Sequence, residues 1–348
     1  MKKLYITVAI LLAWGLSSAQ TDPYFGQAWF MAPVHINPAM AGNTPNFRLG
    51  VSYRNQQLGA NQISNAALVF GEVNLENAGL GIAGTISTTD FDVFNGTYMG
   101  GAVSYRTKND MLRFGVRAQY VQHRLADEYV FLDQLSLYNN NVLASRDILA
   151  SEEQNFNFIG VGAGVVFNHL YGWAGLSVDH LALPGVGSLS SLAGNRLLPM
   201  RIAFNMAARM HIPNAPIWFY PEIRYISQGT QQAAQFGVNS DISLGSVINV
   251  PNKDLYEWSI TAGFWLGNLL QSAATNPYNS SMVSLGLKNN LVGFGGVFSY
   301  MPAAKSKYAN SQVYEISLVF ESPFSISRQY RVGGMGNQVY HRKHTYKN

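Results

Sequence analysis

Most of the chain after Asn46 is made of runs of about 10 to 16 residues in which apolar and polar side chains alternate with period two. That period belongs to the β-strand, whose successive side chains leave opposite faces, and it excludes a helical architecture. Phe47, Leu49, Val51 and Tyr53 interleave with Arg48, Gly50, Ser52 and Arg54. Leu112, Phe114, Val116, Ala118 and Tyr120 do the same against Arg113, Gly115, Arg117 and Gln119. Tyr256, Trp258, Ile260, Ala262, Phe264 and Leu266 alternate with Glu257, Ser259, Thr261 and Gly263, and near the end Tyr314, Ile316, Leu318 and Phe320 alternate with Glu315, Ser317 and Val319. About fourteen such runs start near residues 46, 62, 78, 94, 111, 154, 170, 197, 215, 232, 254, 279, 291 and 311. The tenth, around Phe236 to Val250, has the weakest pattern.

The connections alternate too. After even-numbered runs they are short: Glu76-Asn77, Thr107 to Asp110, Asn168-His169, Pro213-Asn214, Pro251 to Lys253 and Asn289-Asn290. After odd-numbered runs come the long ones: Ala126 to Glu153, Leu183 to Arg196, Asn268 to Tyr278 and Pro302 to Asn310. Short turns on one rim and long loops on the other, with an even strand number, predict a transmembrane antiparallel up-and-down β-barrel, its short turns periplasmic and its longer loops extracellular. A soluble sandwich is the other all-β solution, but its strands run about five or six residues.

The N-terminus agrees with export. Lys2 and Lys3, an apolar stretch from Leu4 to Leu16 and the small residues Ser17-Ser18-Ala19 form a signal peptide over 1–19, with the mature chain starting at Gln20. No later stretch approaches 18 consecutive apolar residues, so helical spans are not expected. Cysteine is absent and only 12% of residues are charged, about half the share in soluble domains. So little charge calls for an apolar solvent on one side of the molecule. Without Lys2 and Lys3, 21 basic residues face 19 acidic ones. A net charge of that size gives no footprint for nucleic acid.

If the apolar faces meet lipid, Arg48, Arg54, Arg113, Arg117, Arg201, Arg209, Glu222, Arg224, Glu257, Lys288 and Glu315 line the lumen. They would make either an anion-attracting pore or, the favoured reading, a filled lumen braced by Arg–Glu pairs. The many inward glycines point to the close approach of something.

No residue pattern speaks for catalysis or a cofactor, and the chain is expected not to be an enzyme. Ser177-Val178-Asp179-His180 is the one Ser/Asp/His cluster, and strand alternation puts Ser177 and Asp179 on one side and His180 on the other. His341 and His344 flank Arg342-Lys343, whose charge opposes a metal cation, and Asp90 with Asp92 supply too few carboxylates for calcium. Asn37-Pro38-Ala39-Met40-Ala41-Gly42 reads as an N-cap, a proline at the first helical position and a terminating glycine, hence one short turn before the first strand. The apolar segment that contains it belongs in the lumen, at the periplasmic rim or on a partner.

From Asp22 onward the chain resembles the PorP/SprF family of outer-membrane proteins associated with the type IX secretion system and gliding motility in Bacteroidetes-type bacteria. The residues that carry the resemblance are Asp22-Pro23-Tyr24-Phe25-Gly26-Gln27, Asn37-Pro38-Ala39-Met40-Ala41-Gly42 and Tyr53-Arg54-Asn55-Gln56. Weaker similarity lies at Gly79-Leu80-Gly81, Gly175 to Leu181 and Tyr314 to Leu318. Gly26 stands where the family usually has serine, and the tail beyond Ser322 departs from members that end near the last strand. The resemblance implies an accessory barrel that supports export or surface anchoring of an adhesin-type cargo, docks to a periplasmic ring lipoprotein, or both, with no cofactor. A porin-like or fatty-acid-channel-like transporter is the alternative.

The expected organisation is thus a signal peptide at 1–19, an N-terminal periplasmic or lumen-associated segment at 20–45, a barrel at 46–321 and a periplasmic tail at 322–348. The tail contains Arg328, Arg331, Arg342, Lys343 and Lys347 and no acidic residue, so it carries +5 while the rest of the mature chain carries 2 − 5 = −3. Those five residues are the candidate contacts for an acidic partner.

Overall fold

A computed structural model describes residues 31–43, 47–58, 62–75, 78–91, 94–109, 111–125, 155–181, 200–211, 217–228, 231–244, 258–271, 278–289, 294–305 and 310–321. Its strands are β1 (Phe47–Leu58), β2 (Gln62–Leu75), β3 (Leu80–Phe91), β4 (Phe94–Arg106), β5 (Leu112–Leu125), β6 (Asn155–His169), β7 (Gly172–Leu181), β8 (Arg201–Ala208), β9 (Met210–His211), β10 (Ile217–Gln228), β11 (Gln231–Ser243), β12 (Trp258–Gln271), β13 (Tyr278–Asn289), β14 (Phe294–Lys305) and β15 (Asn310–Glu321). Both β8 and β9 pair with β10, so they are one strand interrupted at Arg209. Each strand pairs antiparallel with its neighbour in sequence, and β15 pairs with β1 from Arg48↔Glu321 to Leu58↔Ser311. The result is a closed barrel of fourteen staves. Closure satisfies every strand edge inside the sheet, which a hydrocarbon solvent demands.

The two faces follow the alternation. Leu49, Val51 and Tyr53 are 45%, 44% and 51% exposed on the outer wall, whereas Arg48 and Ser52 between them are 1% and 3% exposed inside it. Phe114, Val116, Ile316 and Leu318 continue the outer apolar surface. No helix among the described residues is long and apolar enough to cross a membrane; the strands do the crossing.

The strand starts fall within four residues of those expected, the largest offsets being at Arg201 and Trp258. The tenth stave is described from Gln231 to Ser243, where it lies opposite Ser259, and the end expected near Val250 lies outside the described residues. Beyond Ser243 the period-two pattern lapses, with Ile242 and Leu244 followed by Val247 and Ile248. The short turn expected at Pro251 to Lys253 lies outside the described residues.

The ladder is irregular at β14–β15, between Met301 and Ala304, and at β6–β7. In β6–β7 the register shifts between Val161 and Ala163, and His180 adopts φ 56°. This bulge overturns the alternation expected for Ser177-Val178-Asp179-His180. All of Ser177, Asp179 and His180 are buried, at 1%, 2% and 5% exposure, and the His180 ring lies against Gly160 on the lumen side.

Candidate functional site

The lumen is the site, and its centre is occupied by the chain itself. Residues 31–43 run inside the barrel and every one of them is buried. Pro33–Ile36 forms one helical turn and Pro38–Met40 a 3-10 turn. Asn37 caps the second turn: its side-chain oxygen accepts a hydrogen bond from the Ala39 amide at 2.9 Å. The Asn37 Nδ2 donates to the Val165 and Leu176 carbonyls of β6 and β7, at 3.3 Å each, so one side chain both shapes the turn and anchors it to the wall. Gly42 then takes φ +61°, a conformation that suits glycine and ends the turn. Of the three places open to the N-terminal segment, residues 31–43 take the lumen.

Wall side chains hold this plug largely through its backbone carbonyls. Arg117 on β5 donates through Nη1 to the carbonyls of Val34 at 3.1 Å and His35 at 2.9 Å. Arg201 on β8 donates to the His35 carbonyl at 3.1 Å, Ser177 on β7 to Ile36 at 2.8 Å and Ser104 on β4 to Ala41 at 2.7 Å. Arg113 donates to the Asn43 side-chain oxygen at 3.2 Å. Asp179 carries the compensating charge. Its Oδ2 lies 2.5 Å from Arg117 Nη2 and 2.8 Å from Arg201 Nη2, and its Oδ1 accepts from Arg117 Nε at 3.1 Å. Glycines at 81, 115 and 164 give the backbone its passage. A Cβ on Gly81 would strike the Ala41 carbonyl, one on Gly115 the backbone of Pro38 and Ala39, and one on Gly164 the Asn37 side chain.

A second ionic cluster staples the seam where the first strand meets the last. Arg48 on β1 lies 2.5 Å from Glu72 on β2 and 3.6 Å from Glu321 on β15, and Glu321 pairs with Lys288 on β13 at 2.9 Å. Glu72 Oε2 also accepts the Gly42 amide at 3.0 Å, which ties the plug to the seam. On the opposite wall Arg224 pairs with Glu222 at 3.0 Å and stacks 3.3 Å over the Trp265 ring. Apolar lumen residues fill the space between. Leu68, Phe70, Ala102, Ala203, Val297 and Val319 pack with Met31, Val34 and Ile36, while Val166, Trp173 and Tyr220 pack with Ala39 and Met40.

Nine of the eleven side chains expected in the lumen are buried there: Arg48, Arg54, Arg113, Arg117, Arg201, Glu222, Arg224, Lys288 and Glu315. Arg209 instead sits at the break between β8 and β9. It donates to the His169 carbonyl at 2.8 Å and to the Asn168 side chain at 3.0 Å, and lies over the Trp173 ring. Glu257 lies outside the described residues. The sequence reading missed Glu72, Asp179 and Glu321 as the acidic partners. Alternation around Asp179 signals its lumen position, since it shares the parity of Ser177, but nothing in one strand's sequence names the arginines of two others as its partners.

Of the motif residues, Asn37, Pro38, Ala39 and Gly42 form the plug turn. Tyr53 and Asn55 both donate to Asn65 Oδ1, at 2.9 and 2.7 Å, and Arg54 donates to Gln56 at 2.8 Å, so this motif fixes the outer end of β1. Asp22, Pro23, Phe25 and Gln27 lie outside the described residues, as do Asp92, His341, His344 and the tail residues Arg328, Arg331, Arg342, Lys343 and Lys347.

The sequence profile of the type IX secretion system membrane protein family PorP/SprF matches residues 17–320. The chain belongs to this family. It is an outer-membrane β-barrel of the type IX secretion group. No curated protein matches it in sequence. Among solved structures it is similar to the TodX deltaS2S3 mutant monoaromatic hydrocarbon channel, with TM-score 0.52 and 10% identity over 88% of this chain and 96% of that one. It is also similar to the CymD monoaromatic hydrocarbon channel, with TM-score 0.52 and 12% identity over 88% and 95%. At such identities the likeness is one of fold.

Proposed function

We infer that this PorP/SprF protein is a closed accessory barrel that works by docking. In this reading it supports export or surface anchoring of an adhesin-type cargo, or joins the outer membrane to a periplasmic ring lipoprotein, and it performs no reaction. Residues 1–19 are removed after export, leaving Gln20 at the start of the mature chain. The observation that carries the reading is the lumen: a transporter needs a path, and residues 31–43 lie across it with all of them buried. Ser177 and Asp179, the residues a hydrolase could have used, are committed to the Ile36 carbonyl and to two guanidinium groups.

Purified full-length barrel in planar bilayers is expected to stay electrically silent at moderate voltage. Steady open channels from the intact protein would support transport instead. The docking surface is assigned to the tail, whose charge of +5 is concentrated in 27 residues, 322–348. Truncation after Pro323 should leave barrel assembly intact and reduce co-purification of periplasmic partners. The full-length interaction should weaken from low to physiological salt, where exposed charges are screened within about 8 Å. Unchanged co-purification by the truncated chain would remove the tail from the account.

A further inference from the structure

The plug is bound in the way a peptide is bound in a groove. Five contacts of the wall, from Arg117 twice, Arg201, Ser104 and Ser177, go to main-chain carbonyls of Val34, His35, Ile36 and Ala41, and none of these reads a side chain. The wall clears space for a backbone with Gly81, Gly115 and Gly164. Asn37 is the plug side chain that donates to carbonyls of the wall, and the residues after it are Pro38 and Ala39, a proline-led turn with a small neighbour. Only residues 44–46 separate the plug from β1.

We propose that the lumen wall is a peptide-binding site, that residues 31–43 are its resident occupant, and that this occupant is exchangeable for another chain segment of the same chemistry. That chemistry is a short Asn-Pro-small turn that presents consecutive backbone carbonyls to the Arg117–Asp179–Arg201 group. The tether explains why the site stays filled. A segment held by a short link competes at an effective concentration in the millimolar range, so a free peptide of ordinary affinity does not displace it. Exchange therefore requires that the tether be pulled or cut. The proposal rests on the closed-barrel reading and adds to it what the barrel can bind.

The test cuts the tether after folding, which avoids a variant that fails to assemble. A site-specific protease sequence is placed at residues 44–46 of the full-length chain, the barrel is folded and purified, and the link is cleaved. Release of the N-terminal fragment is followed by mass spectrometry under dilution, and conductance is recorded in planar bilayers. The expected result is slow release with the appearance of conductance, then a return to baseline when a synthetic peptide of residues 31–43 is added. The same peptide carrying Asn37→Ala should need at least about tenfold more material, because it loses the three hydrogen bonds that the Asn37 side chain makes. A peptide carrying Ala39→Trp should not reclose the barrel, because Ala39 is fully buried in the cluster with Val166, Trp173 and Tyr220, which leaves no room for an indole. Two outcomes overturn the proposal: a cleaved fragment that never leaves, which makes the plug a permanent part of the core, or a released fragment whose place the peptide cannot retake. Neither outcome touches the docking reading, which is measured separately by partner co-purification from the uncut protein.

Discussion

Asp179→Ala is expected to lower the unfolding free energy of the barrel by about 3–5 kcal/mol, the cost of leaving a buried charge cluster without its counter-ion. Asp179 is 2% exposed and pairs with both Arg117 and Arg201, so its removal takes the carboxylate from two guanidinium groups at 3% and 2% exposure. Two like charges then face one another in a space that water reaches poorly, and the partners they keep include the Val34 and His35 carbonyls, which carry no full charge. Asp179→Asn keeps shape and one acceptor oxygen, and should cost less, about 1–3 kcal/mol. Asp90→Ala is the control, since Asp90 is exposed at the outer end of β3, and should fall within about 0.5 kcal/mol of the parent. The measurement is the urea midpoint of the barrel in detergent micelles, monitored by the difference in gel migration between boiled and unboiled protein. An Asp179→Ala unfolding free energy within about 1 kcal/mol of the parent would show that Asp179 does not hold the cluster together.

The barrel itself was legible because alternation is a local property. Phe47 to Arg54 declares its lipid face and its lumen face without reference to any other strand, and so do Leu112 to Tyr120 and Tyr314 to Phe320. Where the lumen is apolar that signal fails. On β2 the inward Ala66, Leu68 and Phe70 alternate with the outward Ala67, Val69 and Gly71, so both faces look alike, and Glu72 does not stand out as a lumen acid. The reason is the plug: those inward residues pack on Met31, Val34 and Ile36, a contact between segments that no strand pattern records. The turn at Asn37 to Gly42 was legible from its cap and its proline, yet its position was open, because the same sequence could cap a turn anywhere. Its place in the lumen is fixed by the donors on β4, β5, β7 and β8, strands far apart in sequence and brought together only by closure. His180 was misplaced for a related reason. A bulge adds one residue to a ladder and reverses the parity of the residues after it, and it has no mark in composition.

The plug also makes a sharp distinction between glycines that look the same in sequence. Gly115 and Gly101 both lie within strands, on β5 and β4, where alanine ordinarily gains about 0.5–1 kcal/mol by restricting the unfolded chain. Around Gly101 a new Cβ meets nothing within 4 Å on the outer wall, so Gly101→Ala should be neutral or slightly stabilising. At Gly115 the same methyl lands on the backbone of Pro38 and Ala39, atoms that cannot swing aside as a side chain tip would. Gly115→Ala is therefore expected to cost about 1–3 kcal/mol, the usual penalty of overpacking, or to expel the plug. A double-mutant cycle separates this from a defect of the strand itself. In a chain lacking residues 31–43, assembled and assayed by the same urea midpoint, the Gly115→Ala penalty should vanish while the Gly101→Ala effect stays as it was. A penalty of equal size in the presence and absence of the plug would mean that Gly115 is required by β5 alone, and that the close approach of the Pro38–Ala39 backbone sets no limit on the wall.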